Sequence, residues 1–143
     1  MKNYGLLILN YVIIALILAL RINAAGWILL MFGWILIPVV IIHIISTTIG
    51  LMKFSQQPKI NKIMVIVSII LFFIFFLFQY EMDDYKSYMI AEAYVRFIFK
   101  TEYTDLGNLA KYISIISGFL LVITDLTILI NLRRIETDKK SRV

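Results

Sequence analysis

Four long runs with almost no formal charge decide what this chain can fold into. Asn3 to Leu20 is uncharged as far as Arg21, and Ile22 to Met52 is uncharged as far as Lys53. Ile63 to Tyr80 lies between Lys62 and Glu81, and Tyr112 to Leu132 lies between Lys111 and Arg133 with a single charge, Asp125. A helix needs about 20 mainly apolar residues to cross a bilayer. Each run is long enough, the first and third only just. The runs are continuously apolar, without the alternation of a barrel strand, so they predict helices.

The expected fold is therefore an all-α integral membrane protein. It is a four-helix transmembrane bundle with an amphipathic helix in the outer loop between helices three and four. The transmembrane helices fall at about 4–20, 27–51, 62–80 and 110–132 of a single membrane domain covering 1–143. An amphipathic segment is expected at about 84–100 and a cytoplasmic tail at 133–143. Pro38 lies inside the second run, where it removes one backbone hydrogen bond and invites a kink. Composition agrees: 62% of residues are hydrophobic and 16% charged, against about 45–50% and about 25% in soluble domains.

The net charge of +5 sits on the flanks of the apolar runs, not in a nucleic-acid-binding pattern. Lys53, Lys59 and Lys62 share one loop, and Arg133, Arg134, Lys139, Lys140 and Arg142 share the C-terminal segment. The side with the N-terminus, the 53–62 loop and the tail holds nine Lys and Arg, and the opposite side holds five together with six acids. The positive-inside rule then predicts a multi-pass cell-membrane protein with both termini cytoplasmic. Lys2 ahead of an apolar run resembles a signal peptide. Arg21, however, falls where a neutral cleavage region should stand, so the first helix is expected to stay uncleaved.

The 81–110 segment is expected to be helical from about Asp84 to Lys100. Met89, Ile90, Ala93, Tyr94, Phe97 and Ile98 lie on one side and Glu92 and Arg96 on the other. Tyrosines are concentrated here, which fits an interfacial aromatic belt and cap. The sharper expectation is a partner surface built on Tyr85, Tyr88, Tyr94 and Phe97. Expected partners are the lipid bilayer and another membrane or extracellular protein meeting this segment. A second copy of the chain is a further candidate, and no nucleic acid is expected.

Inside the runs, one polar residue per helix stands out. Asn10 is eight residues past Lys2, His43 ten before Lys53, Ser68 six past Lys62 and Asp125 eight before Arg133. At about 1.5 Å per residue these lie in one layer, roughly 9–15 Å in from the cytoplasmic charges. Ser114, Ser117, Gly118, Leu121, Thr124 and Asp125 share one helix face, and Leu36, His43, Thr47 and Gly50 share another. Turning both faces inward hides the carboxylate from lipid, where it costs several kcal/mol. His43 and Asp125 are then expected to be close enough for a hydrogen bond. The polar layer reads either as a structural knot that sets helix register or as a functional intramembrane site.

Catalytic expectations are negative. The sequence lacks the P-loop, zinc-protease, nucleophile-elbow and dinucleotide motifs. It has one histidine and no cysteine, so no metal site, thiol chemistry or cofactor is expected. The leading expectation is a non-enzymatic accessory, regulatory or protective (immunity-like) membrane protein acting through contacts. The alternative is a small oligomeric transporter or channel using His43 and Asp125.

Overall fold

The computed structural model describes residues 4–23, 27–82, 87–99 and 107–140. Four helices in it are long and apolar enough to cross a membrane. They are α1 (Tyr4–Asn23), α2 (Trp27–Met52), α3 (Lys59–Leu77) and α5 (Gly107–Lys140). A short antiparallel hairpin, β1 (Tyr80–Met82) and β2 (Ser87–Met89), and the helix α4 (Ile90–Phe99) lie between α3 and α5.

The buried positions of each helix follow a three-and-four spacing. On α1 they are Asn10, Ile14, Ile17 and Arg21, and on α3 they are Asn61, Val65, Ser68, Phe72 and Phe76. On α5 the stripe runs Ser114, Ser117, Leu121, Asp125, Ile128 and Leu132. These are the positions that line one side of a 3.6-residue helix. The stripes face one another, with α5 packed on α3 and α2, and α1 on α2 and α3.

Polarity is inverted relative to a water-soluble domain. Trp34 is 68% exposed, Phe119 69% and Ile130 66%, whereas His43, Ser46, Thr47 and Ser68 are fully buried. Water would exact a large free-energy penalty for so much contiguous apolar surface. Two apolar clusters fill the interior. One is built on Ile14, Ile17, Phe72, Phe76 and Leu121, the other on Leu51, Val65, Ile128 and Leu132. Along α1, α3 and α5 the buried residues Asn10, Ser68 and Asp125 fall between these clusters.

Two glycines permit the closest approaches. A β-carbon on Gly118 would stand 2.7 Å from the Phe75 ring, and one on Gly50 would stand 2.6 Å from Val65 Cγ2. Phe75 is itself held edge-on against Phe76, with ring centroids 5.0 Å apart, so it has little room to retreat.

Three expectations about element boundaries are corrected. The segment read as a helix from about 84 is a hairpin followed by a helix that begins only at Ile90. Tyr80 pairs with Met89, Glu81 with Tyr88 and Met82 with Ser87, and Ile90 N–H donates to Gln79 O at 3.2 Å. Gln79 is further fixed because its Oε1 accepts from Arg21 Nε at 2.7 Å. These long-range bonds hold the chain extended after α3, which therefore stops at Leu77 and not near 80. α3 also begins earlier than expected, at Lys59, directly after Pro58, whose carbonyl accepts the first helical N–H groups. Residues 133–140, expected as a tail beyond the fourth span, continue α5 as helix. The stretch has no Gly or Pro to stop a helix, and its basic residues favour the C-terminal end of the dipole.

α2 runs unbroken through Pro38. The turn between α2 and α3 is a 3-10 segment, Phe54–Gln56, followed by buried Gln57. Gln57 Nε2 donates to Gly50 O at 2.9 Å and so satisfies one of the carbonyls a helix end leaves open.

Replacing Gly118 with valine is expected to destabilise the detergent-solubilised protein by about 1–3 kcal/mol through the clash with Phe75. Thermal unfolding followed by circular dichroism measures it, and an unchanged transition would contradict the packing described.

Candidate functional site

α2, α3 and α5 each contribute to one buried polar cluster. The α5 stripe carries Asp125 inward, 1% exposed, and the α3 stripe does the same for Ser68. On α2, His43, Ser46 and Thr47 occupy one turn and so share a face. Ser46 Oγ donates to Asp125 Oδ1 at 2.6 Å, and Ser68 Oγ donates to the same oxygen at 2.5 Å. His43 Nδ1 lies 3.1 Å from Asp125 Oδ2 and 3.1 Å from Ser68 Oγ.

Each serine hydroxyl has one hydrogen, and the short contacts place both on Asp125. The imidazole Nδ1 therefore stands within hydrogen-bond distance of both Ser68 Oγ and Asp125 Oδ2. Asp125 thus takes hydrogen bonds from three side chains on two other helices. Such charge-assisted bonds are the strong ones, and a carboxylate left unsatisfied in an apolar interior is costly.

His43 is also fixed by packing. Its ring stacks on Phe72 with centroids 4.2 Å apart and planes 6° from parallel. Its Nε2 is buried without a hydrogen-bond partner among the described residues.

A second branch reaches α1. Thr47 Oγ1 donates to His43 O at 2.6 Å and accepts from Asn10 Nδ2 at 3.1 Å. Next to it, Tyr11 OH and Thr48 Oγ1 are 2.7 Å apart. Asn10, His43, Ser68 and Asp125 are therefore all in the same place, with Asn10 joined through Thr47.

Ser46 was not singled out by its sequence context, although it is a direct partner of Asp125. Its signal was its spacing: three residues after His43, on the same face and at the same depth as Asp125. Thr47 was legible as a face-mate of His43 but not as the link to α1.

The expected partner surface divides. Tyr85 lies outside the described residues, Tyr88 falls in β2 and Phe97 in α4. Tyr94 is turned toward the long apolar helices, with its OH donating to Leu20 O at 2.7 Å near the end of α1. That bond makes Tyr94 a tether between α4 and α1, because Leu20 O is among the carbonyls a helix terminus leaves unsatisfied. Among the described side chains of α4, Ile98 is exposed, at 66%.

The cluster can lock helix register, because its hydrogen bonds join three helices. Asp125, His43, Ser46 and Ser68 are each at most 1% exposed, so no reacting molecule touches them in this conformation. Among the described residues, no group of three or more His, Cys, Asp or Glu is placed to hold a metal ion. No known protein family, curated protein or solved structure matches the chain.

Removing one serine, Ser46→Ala or Ser68→Ala, is expected to cost about 1 kcal/mol, in the range of interhelical hydrogen bonds in membrane proteins. Asp125→Ala, which strands His43 and both hydroxyls, is expected to cost about 3 kcal/mol or more. A double-mutant cycle on Ser68 and Asp125 checks the coupling, and strict additivity would show that the two do not interact.

Proposed function

We propose that this protein is a multi-pass cell-membrane protein with both termini cytoplasmic that acts through contacts, as an accessory, regulatory or protective (immunity-like) component, and not as an enzyme. The observation that carries this reading is how the internal polar groups are used. Asp125 is satisfied by Ser46, Ser68 and His43 within a layer closed to the surroundings. The polar chemistry of the spans is then structural, and the surface left to act is the hairpin–α4 cap with the apolar exterior.

The supports for each part are separate. The inverted polarity favours lipid as the solvent, and the four apolar helices then form a transmembrane bundle. Lys53, Lys59 and Lys62 flank the α2–α3 turn, and Arg133 and Arg134 lie toward the same end of α5. That end faces the cytoplasm by the positive-inside rule. The hairpin–α4 cap then lies outside, against the ends of α2, α3 and α5, where another membrane or extracellular protein meets it.

One observation favours a second reading, a small oligomeric transporter or channel. His43 Nε2 is buried beside a carboxylate with no partner among the described residues, and ionisable groups inside spans often mark proton or ion paths. Flux separates the two readings. Vesicles holding the purified protein are expected to show no pH-dependent ion flux, and Asp125→Asn is expected to lower thermal stability without changing any flux. A wild-type flux abolished by Asp125→Asn in a folded protein favours the transporter instead. Crosslinking in intact cells is expected to capture a defined partner through the cap, and Ile98→Asp is expected to weaken that capture at least fivefold. A lone monomer in both proteins counts against action by contact.

A further inference from the structure

Four basic side chains meet at the end of the bundle that holds the α2–α3 turn. Asn131 Nδ2 of α5 donates to Asn61 Oδ1 of α3 at 3.1 Å, across 70 residues of sequence. Lys59 and Lys62 lie within two residues of Asn61, and Arg133 and Arg134 within three of Asn131. Three residues are about 4.5 Å of helix rise, so the α3–α5 contact gathers two pairs of cations that the sequence keeps apart. We propose that this cluster is a binding site for the headgroup of an anionic phospholipid.

Charge is the first ground. Residues 53–62 and 126–135 contain no Asp or Glu, and among the described residues none of the four cations pairs with a carboxylate. The acids nearest in sequence, Glu136 and Asp138, lie farther along α5 and are matched in number by Lys139 and Lys140. α3 begins at Lys59 with no acid in its first turn and no side-chain cap. The positive end of its dipole therefore adds to the lysines and does not offset them. Like charges gathered in this way repel, and an anion shared between α3 and α5 relieves the repulsion.

Access is the second ground. Lys59, Arg133 and Arg134 are exposed and Lys62 is partly buried. Lys62 Nζ stands 5.7 Å from the centroid of the Phe54 ring, a contact that steadies the ammonium without neutralising it. The neighbouring surface then selects the kind of anion. Ile60 and Ile63 on α3 and Ile130 on α5 are exposed beside the cations. A soluble anion would meet the charges and leave these isoleucines uncovered. A phospholipid matches both, with its phosphate at the basic groups and its chains along the apolar side chains.

This inference rests on the membrane reading, and on neither its orientation nor its partner. Its test uses the full-length protein in nanodiscs of phosphatidylcholine and phosphatidylglycerol with identical chains, followed by native mass spectrometry of the lipid retained on release. Wild-type protein is expected to retain phosphatidylglycerol at least about tenfold over phosphatidylcholine, since one basic side chain at a membrane surface contributes about fivefold. Lys59→Gln combined with Arg134→Gln is expected to lower that preference about fivefold or more. Lys59→Arg combined with Arg134→Lys is expected to keep most of it. Lys111→Gln, near the opposite end of α5, is expected to leave it unchanged. Excess glycerol 3-phosphate, which carries the phosphate without chains, is expected to displace nothing.

Equal retention of the two lipids by wild type overturns the proposal, as does an unchanged preference in the double glutamine variant. A loss in Lys111→Gln as large as in that variant overturns it too, because the attraction would then be diffuse. Displacement by glycerol 3-phosphate assigns the cluster to a soluble phosphate and overturns the lipid. If the double variant fails to fold, Lys59→Gln alone decides by the same criteria. A chain that does not enter nanodiscs defeats the membrane reading itself, whereas one that enters without preference defeats only this inference.

Discussion

The buried carboxylate of Asp125 sets the terms on which the helices can pack. An ionised group in an apolar interior is tolerable only if its oxygens are met by donors. Here the donors come from α2 and α3, through Ser46, His43 and Ser68. A helix advances about 100° per residue, so a slip of one position on either helix would carry its donor away from Asp125. Apolar contacts alone would be far more forgiving, because leucine and isoleucine faces repack at low cost. The polar layer thus supplies the register that the apolar clusters on either side of it do not.

α1 depends on this layer indirectly. It is joined to α2 by Asn10 through Thr47 and by Tyr11 beside Thr48, and at its far end by Arg21 to Gln79 and by Leu20 to Tyr94. The result is a helix pinned at its polar layer and at its last turn. An apolar crevice lies toward the second of these pins, between α1 and α2. The Tyr94 and Gln79 bonds also tie the cap to the helices, so the hairpin and α4 are held at a defined place on the bundle end.

This arrangement bears on function by exclusion and by placement. A closed cluster whose hydroxyls and carboxylate satisfy one another leaves little for a passing solute, whereas a platform rigidly seated on the helix ends is well suited to contact. The orphaned Nε2 of His43 is the feature that pulls the other way, since buried polar atoms without partners call for a physical explanation. Stacking on Phe72 gives the ring van der Waals support but no hydrogen bond.

Long uncharged runs are enough to specify four helices, because continuous apolarity over about 20 residues has no other satisfied form in lipid. Depth along those helices is equally local, so the common layer of Asn10, His43, Ser68 and Asp125 was readable by counting from the flanking charges. Which partners meet within that layer was not. Ser46 looks like any helical serine until α5 is packed against its face. Tyr94 looked like an outward-facing interfacial tyrosine, and Arg21 like a flanking charge. Their buried roles arise from Leu20 and Gln79, the second of them 58 residues away in sequence. The hairpin at 80–89 shows the same limit. Its residues suit a helix on periodicity, but strand pairing and the two bonds at Gln79 are non-local, and local propensity carries no record of them. Chain-local physics therefore determined the helices and the level of their polar groups, and only tertiary packing decided which of those groups touch.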